Sequence, residues 1–403
     1  MIDPFPVVDR PRCENLLVMF RSPTSTGGPS MSNRITSTGR RLAVLFAFLA
    51  LFAGVALPAA GAKPGGEPNN KKVTVMTRNL YLGTGLTDIV TSTTFQQFVE
   101  AVTQARANVI ATDFPARAEA LADEIAANGP DLVGLQEVSL WRTQTPSDLT
   151  GPNATTVFQD FLTILQGELA ERGLNYTVVS TSTNADVEAP YLDPAAPVNP
   201  AVGLPLSDIR LTDRDVILAR AGVTTSNPAD GRYAAQLTVP TVTGQPVTFT
   251  RGWTSVDATV NGASFRFFNT HLETESPAPA IQVAQGSEAL AIVNTSPLPV
   301  IAVGDFNSDA GGSTTPTYAN LVAGGLVDAW PAATRNAPGP TCCQNELLTN
   351  PVSENATRID LVLTKGDWQA KKATQVGANP FRGAPAPLWA SDHAGVVAEL
   401  KLK

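Results

Sequence analysis

Between Lys72 and Lys365 the 403-residue chain contains no lysine. That interval holds about 13 arginines against about 29 carboxylates, so a formal charge of −8 understates how acidic the body of the protein is. Such a surface repels polyanions at long range and disfavours tight nonspecific binding to duplex DNA unless a metal assists. Histidine is nearly absent too, with two in the whole chain, and cysteine is limited to Cys13, Cys342 and Cys343. No cysteine spacing suits a structural zinc site. The adjacent Cys342 and Cys343 could be a vicinal disulfide or two thiols. One long apolar run occurs, Leu42 to Leu57, and no second run is long enough to cross a membrane.

That run is framed by Arg34, Arg40 and Arg41 before it and Ala60-Gly61-Ala62 after it. A basic region, a short apolar run and a small-x-small site together describe a secretory signal peptide over 31–62, opening at Met31. Residues 1–30 then read as an upstream start outside the natural signal. The expectation is an exported, extracellular protein that begins near Lys63, keeps no membrane span after cleavage and is a monomer. Residues 63–72, rich in Gly, Pro and Asn, read as a disordered linker, and 73–403 as a single domain.

Local pattern predicts strands at Val73–Met76, Asp131–Gln136, Tyr176–Val179, Val216–Ala219, Pro299–Val303, Arg358–Thr364 and Gly395–Leu400. Phe95 to Ala127 reads as helical with an interruption near Asp113-Phe114-Pro115. Phe158, Phe161, Leu162, Leu165 and Leu169 form a helical stripe ending at Gly173, and Ile281–Val293 is a further helix. Asn261-Gly262 joins Trp253–Val260 to Ser264–Asn269 as a hairpin. Ser180–Leu211, rich in Pro, Asp and Asn, reads as a long loop. Asp208, Asp213 and Asp215, with Arg210 and Arg214, read as a solvated acidic loop, with a calcium site or substrate loop as the alternative. Tyr81, Trp141, Tyr191 and Trp389 read as packing residues rather than a substrate groove. The strand–helix rhythm in both halves, with a hairpin between, predicts an α/β fold of two packed mixed sheets with helices outside.

Polar residues gather where the apolar strands end: Asn79, Glu137, His271, Asp305, Asn307, Asp360, Asp392 and His393. Groups placed this way sit on rigid elements at one edge of the sheets. Carboxylates with Asn oxygens suit a hard cation such as Mg²⁺. Two histidines can work as acid and base near neutral pH, and a chain that otherwise avoids histidine places both beside strand termini.

Six short motifs carry a family resemblance: Thr77-Arg78-Asn79-Leu80, Leu135-Gln136-Glu137-Val138, Asn269-Thr270-His271-Leu272, Gly304-Asp305-Phe306-Asn307, Arg358-Ile359-Asp360-Leu361 and Ser391-Asp392-His393. In that order the chain resembles the endonuclease/exonuclease/phosphatase superfamily of deoxyribonuclease I-like enzymes, from residue 73 to the end. The resemblance implies a four-layer α/β sandwich and hydrolysis of a phosphoester, from a nucleic acid or a phospholipid headgroup, with Mg²⁺ or Mn²⁺. It implies Glu137 as the principal metal ligand with Asn79 and Asp392 nearby. Asp305 would orient or deprotonate the attacking water, Asn307 would hold a phosphate oxygen, Asp360 would fix the tautomer of His393, and His271 would act on the leaving-group side. A His at position 271 is closer to deoxyribonuclease I, the sphingomyelinases and the 5-phosphatases than to the abasic-site nucleases. The missing lysines weigh against a 5-phosphatase. Two alternatives stay open: a phosphomonoesterase acting on a small metabolite, and a binding protein that keeps the fold without turnover.

Overall fold

The computed structural model describes residues 70–403 apart from Gln245. The expected signal peptide, the upstream start and most of the linker lie outside the described residues. The last linker residue is already structured: Lys72 opens the first strand and pairs with Lys401.

Two sheets pack face to face. The larger has nine strands, with Gly395–Leu402, Lys72–Asn79, Leu132–Gln136 and Leu204–Arg220 adjacent at its centre. The smaller has six, and at its centre Asp360–Lys365, Val300–Asp305, Ala263–His271 and Gly252–Val260 are neighbours. Strand alternation assigns each side chain to a layer. Val75, Leu132, Ile217, Phe267, Ile301, Val303 and Val362 point into the core between the sheets. Their neighbours Met76, Val133 and Leu218 turn outward under helices Phe95–Ala111, Phe114–Asn128 and Phe161–Glu171. Phe268, Ala302 and Leu361 turn outward on the other side, under Pro279–Asn294 and Thr317–Ala323. Over these stretches the central strands are apolar on both faces, which explains the unbroken apolar runs in the sequence. The result is the four-layer sandwich, helix–sheet–sheet–helix.

Local expectations fare unevenly. The helical stretch from Phe95 breaks as expected, with Asp113 at a left-handed φ of 45° and Pro115 in the first turn of the next helix. The hairpin turns on Asn261 and Gly262, both at positive φ. Phe158 lies in a short strand, Thr156–Asp160, because Asp160 caps the helix that starts at Phe161. The long loop expected at Ser180–Leu211 is absent. Tyr176–Leu192 and Leu204–Arg220 instead form a long antiparallel ribbon, with register shifts at Val178/Ser180 and Thr183/Asp186. Asp208, Asp213 and Asp215 are buried in this ribbon, not solvated.

The sheets are clasped by polar groups just behind the strand ends. Asn269, fully buried, donates across the interface to the Leu135 and Val216 carbonyls at 3.0 and 3.3 Å and accepts from Gln136 Nε2 at 2.6 Å. Gly134 permits this approach: a Cβ there would lie 2.7 Å from Asn269 Oδ1 and 2.5 Å from Val303 Cγ2.

Candidate active site

Register alone brings most of the polar strand ends together. In the smaller sheet His271 is opposite Asp305, and Asp305 is opposite Asp360, so two strands present their last residues and a third its first residue in a row. In the larger sheet Asn79 is opposite Gln136, so Glu137 follows at the strand end, turned by a left-handed φ of 56°. Ser391-Asp392-His393 leads into the strand beginning at Gly395, beside the first strand.

Asp305 Oδ2 is the centre of this group. It accepts from Asn79 Nδ2 at 3.1 Å and lies 3.5 Å from His271 Nε2 and 3.7 Å from His393 Nε2. Its other oxygen accepts the Asn307 N–H at 2.9 Å. Burial raises the Asp305 pKa to about 6, with the His393 charge acting against that shift. The group can therefore take a proton close to neutral pH.

Asp360 Oδ2 lies 2.8 Å from His393 Nδ1, with Asp360 wholly buried. Its Oδ1 has no hydrogen-bond partner. Burial alone would favour neutral His393, but the Asp360, Asp392 and Asp305 carboxylates outweigh it and hold its pKa well above the ordinary value. His271 is the reverse. Burial, then the Arg251 guanidinium, keep its pKa well below the usual range. Arg251 Nη1 lies 3.0 Å from His271 Nδ1, and a guanidinium only donates, so the ring proton of neutral His271 sits on Nε2, facing Asp305 and Asn307.

Glu137 Oε1 accepts from Asn79 Nδ2 at 3.1 Å and Oε2 accepts the Leu82 N–H at 2.7 Å. Burial, with Asp392 and Asp213 nearby, raises its pKa to about 7, and burial raises that of Asp392. Carboxylates crowded so that each resists ionisation are a donor set for a hard divalent cation, which replaces the repulsion with attraction. Glu137 and Asp392 fit that role. Asn79 does not present its oxygen in this arrangement: Oδ1 accepts the Tyr81 N–H at 2.8 Å, while its amide bridges Glu137 and Asp305. Asn307 donates to the Leu272 carbonyl at 2.9 Å and reaches to 3.2 Å from His271 Nε2, held by Gln282, which donates to its carbonyl at 2.6 Å.

Four supporting residues escaped the sequence reading. Arg78 is buried, paired with Glu124 at 2.9 and 3.2 Å, and donates to the His393 carbonyl. Arg117 is fully buried and donates to the carbonyls of Leu80, Tyr81 and Ala390, fastening the Asn79 and Asp392 segments together. Gln282 and Arg251 complete the set. Arg78 lies inside a quoted motif, but Arg117, Gln282 and Arg251 carry no local signal. Tyr81, Trp141, Tyr191 and Trp389 are buried, as packing residues are. Cys342 and Cys343 are joined as a vicinal disulfide, with Cys343 Sγ 3.9 Å from His393 Nε2. The described helices include none long and apolar enough to cross a membrane.

Comparison with known proteins matches this chain, over residues 103–393, to the model of the Endonuclease/Exonuclease/phosphatase family. Among solved structures, a protein of that family from Bacteroides thetaiotaomicron is similar over 82% of this chain and 95% of its own, at 16% identity and a TM-score of 0.51. A B. thetaiotaomicron mannosyl-6-phosphatase covers 81% of this chain and 99% of itself, at 18% identity and a TM-score of 0.49. Truncated Caenorhabditis elegans TDP2 covers 82% and 97%, at 16% identity and 0.45. No curated protein matches the chain in sequence.

Proposed function

The chain belongs to the endonuclease/exonuclease/phosphatase family of phosphoester hydrolases, and from that premise we propose that it is a secreted, Mg²⁺- or Mn²⁺-dependent phosphodiesterase. The observation that carries the reading is the convergence of Asn79, His271 and His393 on one oxygen of Asp305, beside the Glu137–Asp392 pair. A cation held by Glu137 and Asp392 would supply charge neutralisation at the phosphoryl oxygens. Asp305, its pKa close to neutrality, takes a proton from the water that attacks phosphorus. As the new P–O bond forms, the bond to the leaving oxygen breaks. Neutral His271 offers its Nε2–H as a hydrogen bond to a phosphoryl oxygen, but giving that proton away would leave an imidazolate. Charged His393, oriented by Asp360, is the group able to release a proton to the leaving oxygen. The expected leaving-group role of His271 thus passes to His393 in this reading, with His271 as a stabiliser. Asn307 holds the phosphate beside it.

The test is a Mg²⁺ panel of plasmid DNA, RNA, sphingomyelin, bis-p-nitrophenyl phosphate and p-nitrophenyl phosphate, run on wild type and Asp305→Asn. Diester cleavage that exceeds monoester cleavage and is lost in Asp305→Asn is the expected result. Monoester cleavage alone would make the protein a phosphomonoesterase, and no turnover on any member would end the enzymatic reading.

A further inference from the structure

The long ribbon carries a second group of oxygens that adjoins the machinery above. Ser182 is opposite Asp215 across the strand pair Tyr176–Leu192 and Leu204–Arg220. Two residues along, Asn184 Nδ2 donates to Asp213 Oδ2 at 3.3 Å. Side chains two apart on a strand share a face, so these four residues form one patch. All four are at most 4% exposed. Within it Ser182 Oγ, Asn184 Oδ1, Asp213 Oδ1 and both oxygens of Asp215 are buried without a hydrogen-bond partner. The two uncharged oxygens converge: a Cβ built on Gly252, on the facing sheet, would lie 3.0 Å from Ser182 Oγ and 3.2 Å from Asn184 Oδ1. The Gly231 carbonyl oxygen lies closer still to that point, so a backbone oxygen stands beside the two side-chain oxygens. The nearest cationic side chain, Arg251, is 3.8 Å from Asp213 and otherwise engages Glu273 at 3.4 Å. Asp215 has no ion pair among the described residues.

Buried oxygens in this number are costly unless something binds them, because each forfeits its hydration without replacement. We propose that Ser182, Asn184, Asp213 and Asp215 form a calcium site distinct from the Glu137–Asp392 pair. The chemistry selects the ion. Five unpartnered oxygens from carboxylate, carboxamide and hydroxyl groups suit the six to eight oxygens that Ca²⁺ accepts in flexible geometry. Mg²⁺ demands an octahedron and keeps several waters, which a closed position between sheets cannot house. The bare patch has one other remedy, a proton: burial and the neighbouring Asp213 push the Asp215 pKa well above the ordinary carboxylate range. A cation here would also steady Asp213, which reaches Arg251 and through it His271.

The test uses the mature protein stripped with chelator, then melted with and without 1 mM Ca²⁺, Mg²⁺ or Mn²⁺. Wild type and Glu137→Gln, which removes the active-site ligand, should both gain about 5 °C with Ca²⁺. Asp215→Asn, which keeps shape and removes the charge, should fold, melt at or above the stripped wild type, and gain nothing from Ca²⁺. Ser182→Ala should need about tenfold more Ca²⁺ for half the shift. An equal gain in Asp215→Asn would place the ion elsewhere. Loss of the gain in Glu137→Gln would assign it to the active site. No shift in wild type would mean that Asp215 is simply protonated, and a shift with Mg²⁺ or Mn²⁺ but not Ca²⁺ would overturn the choice of ion. Each outcome is independent of turnover, so failure of the phosphodiesterase reading leaves this one standing.

Discussion

His271 and His393 flank the same atom, Asp305 Oδ2, at 3.5 and 3.7 Å, and both are buried. Burial penalises the charged form of each. What separates them is the partner on the remote nitrogen: Arg251 on Nδ1 of His271, Asp360 on Nδ1 of His393. A donor that cannot accept fixes one ring as a neutral N–H, and a carboxylate fixes the other as a cation. One side of Asp305 therefore offers a fixed hydrogen bond and the other a mobile proton. Residue type says little about role here, and the atom on the far nitrogen says most of it.

The harshest way to break the comparison is to remove the carboxylate. Asp360→Asn should leave the melting temperature and Mg²⁺ binding near wild type and slow kcat on the order of 10²- to 10⁴-fold. His393→Ala should do the same, and the double variant should be little worse than either, since the pair acts as a unit. Additive losses would separate them. On the other side, Arg251→Met should cost about 10- to 100-fold, the scale for outer partners of a site. It should also move the acid limb of the rate profile to higher pH, because His271 loses the repulsion of Arg251 and charges more readily, while burial still holds it below the ordinary histidine range. An unmoved profile would show that Arg251 only packs.

A third experiment concerns the Glu137 carboxylate beside this group. Glu137 titrates at about 7 without a cation, and only its ionised form binds one. Protons compete below that value, so apparent Mg²⁺ affinity should fall about tenfold per unit as pH drops under 7, and level off above it. Mg²⁺ titrations of turnover at pH 5.5, 6.5 and 8 would show this, and a flat response would place the dominant ligand elsewhere. The smallest effect belongs to Cys343, 3.9 Å from His393 Nε2. With Asp360 setting the ring, Cys343→Ser should change kcat less than about threefold. A larger loss would mean that the sulfur shares in positioning His393.

Much of this site is legible in the sequence because buried strands are apolar until they end. The runs before Glu137 and Asp305, and the run after Asp360, mark where chemistry can begin, and parallel or antiparallel pairing then sets those ends side by side. The middle of the ribbon, Ser180 to Leu211, was illegible for the opposite reason, while its ends at Tyr176–Val179 and Val216–Ala219 read as strands. The middle carries Pro190, Pro205 and the buried charge of Asp208, with Asp213 and Asp215 following where an apolar face is expected, so it reads as loop. Local pattern assumes that buried means apolar, and fails where buried oxygens have a purpose. Arg251 shows a second limit. Nothing near it in the sequence predicts that it meets a histidine 20 positions later.

The clasp at Asn269 bears on how the protein dies when heated. Its carboxamide bonds the backbone of both Leu135 and Val216, one or two residues behind Glu137 and Asp215, from a position two residues before His271. The two halves of the site cannot drift apart while those bonds hold, and the bonds are closed to water until the sheets separate. Activity should then vanish in the same narrow temperature interval as the far-ultraviolet signal, with no earlier phase of folded but idle protein. Asn269→Ala would open such a gap between the two curves.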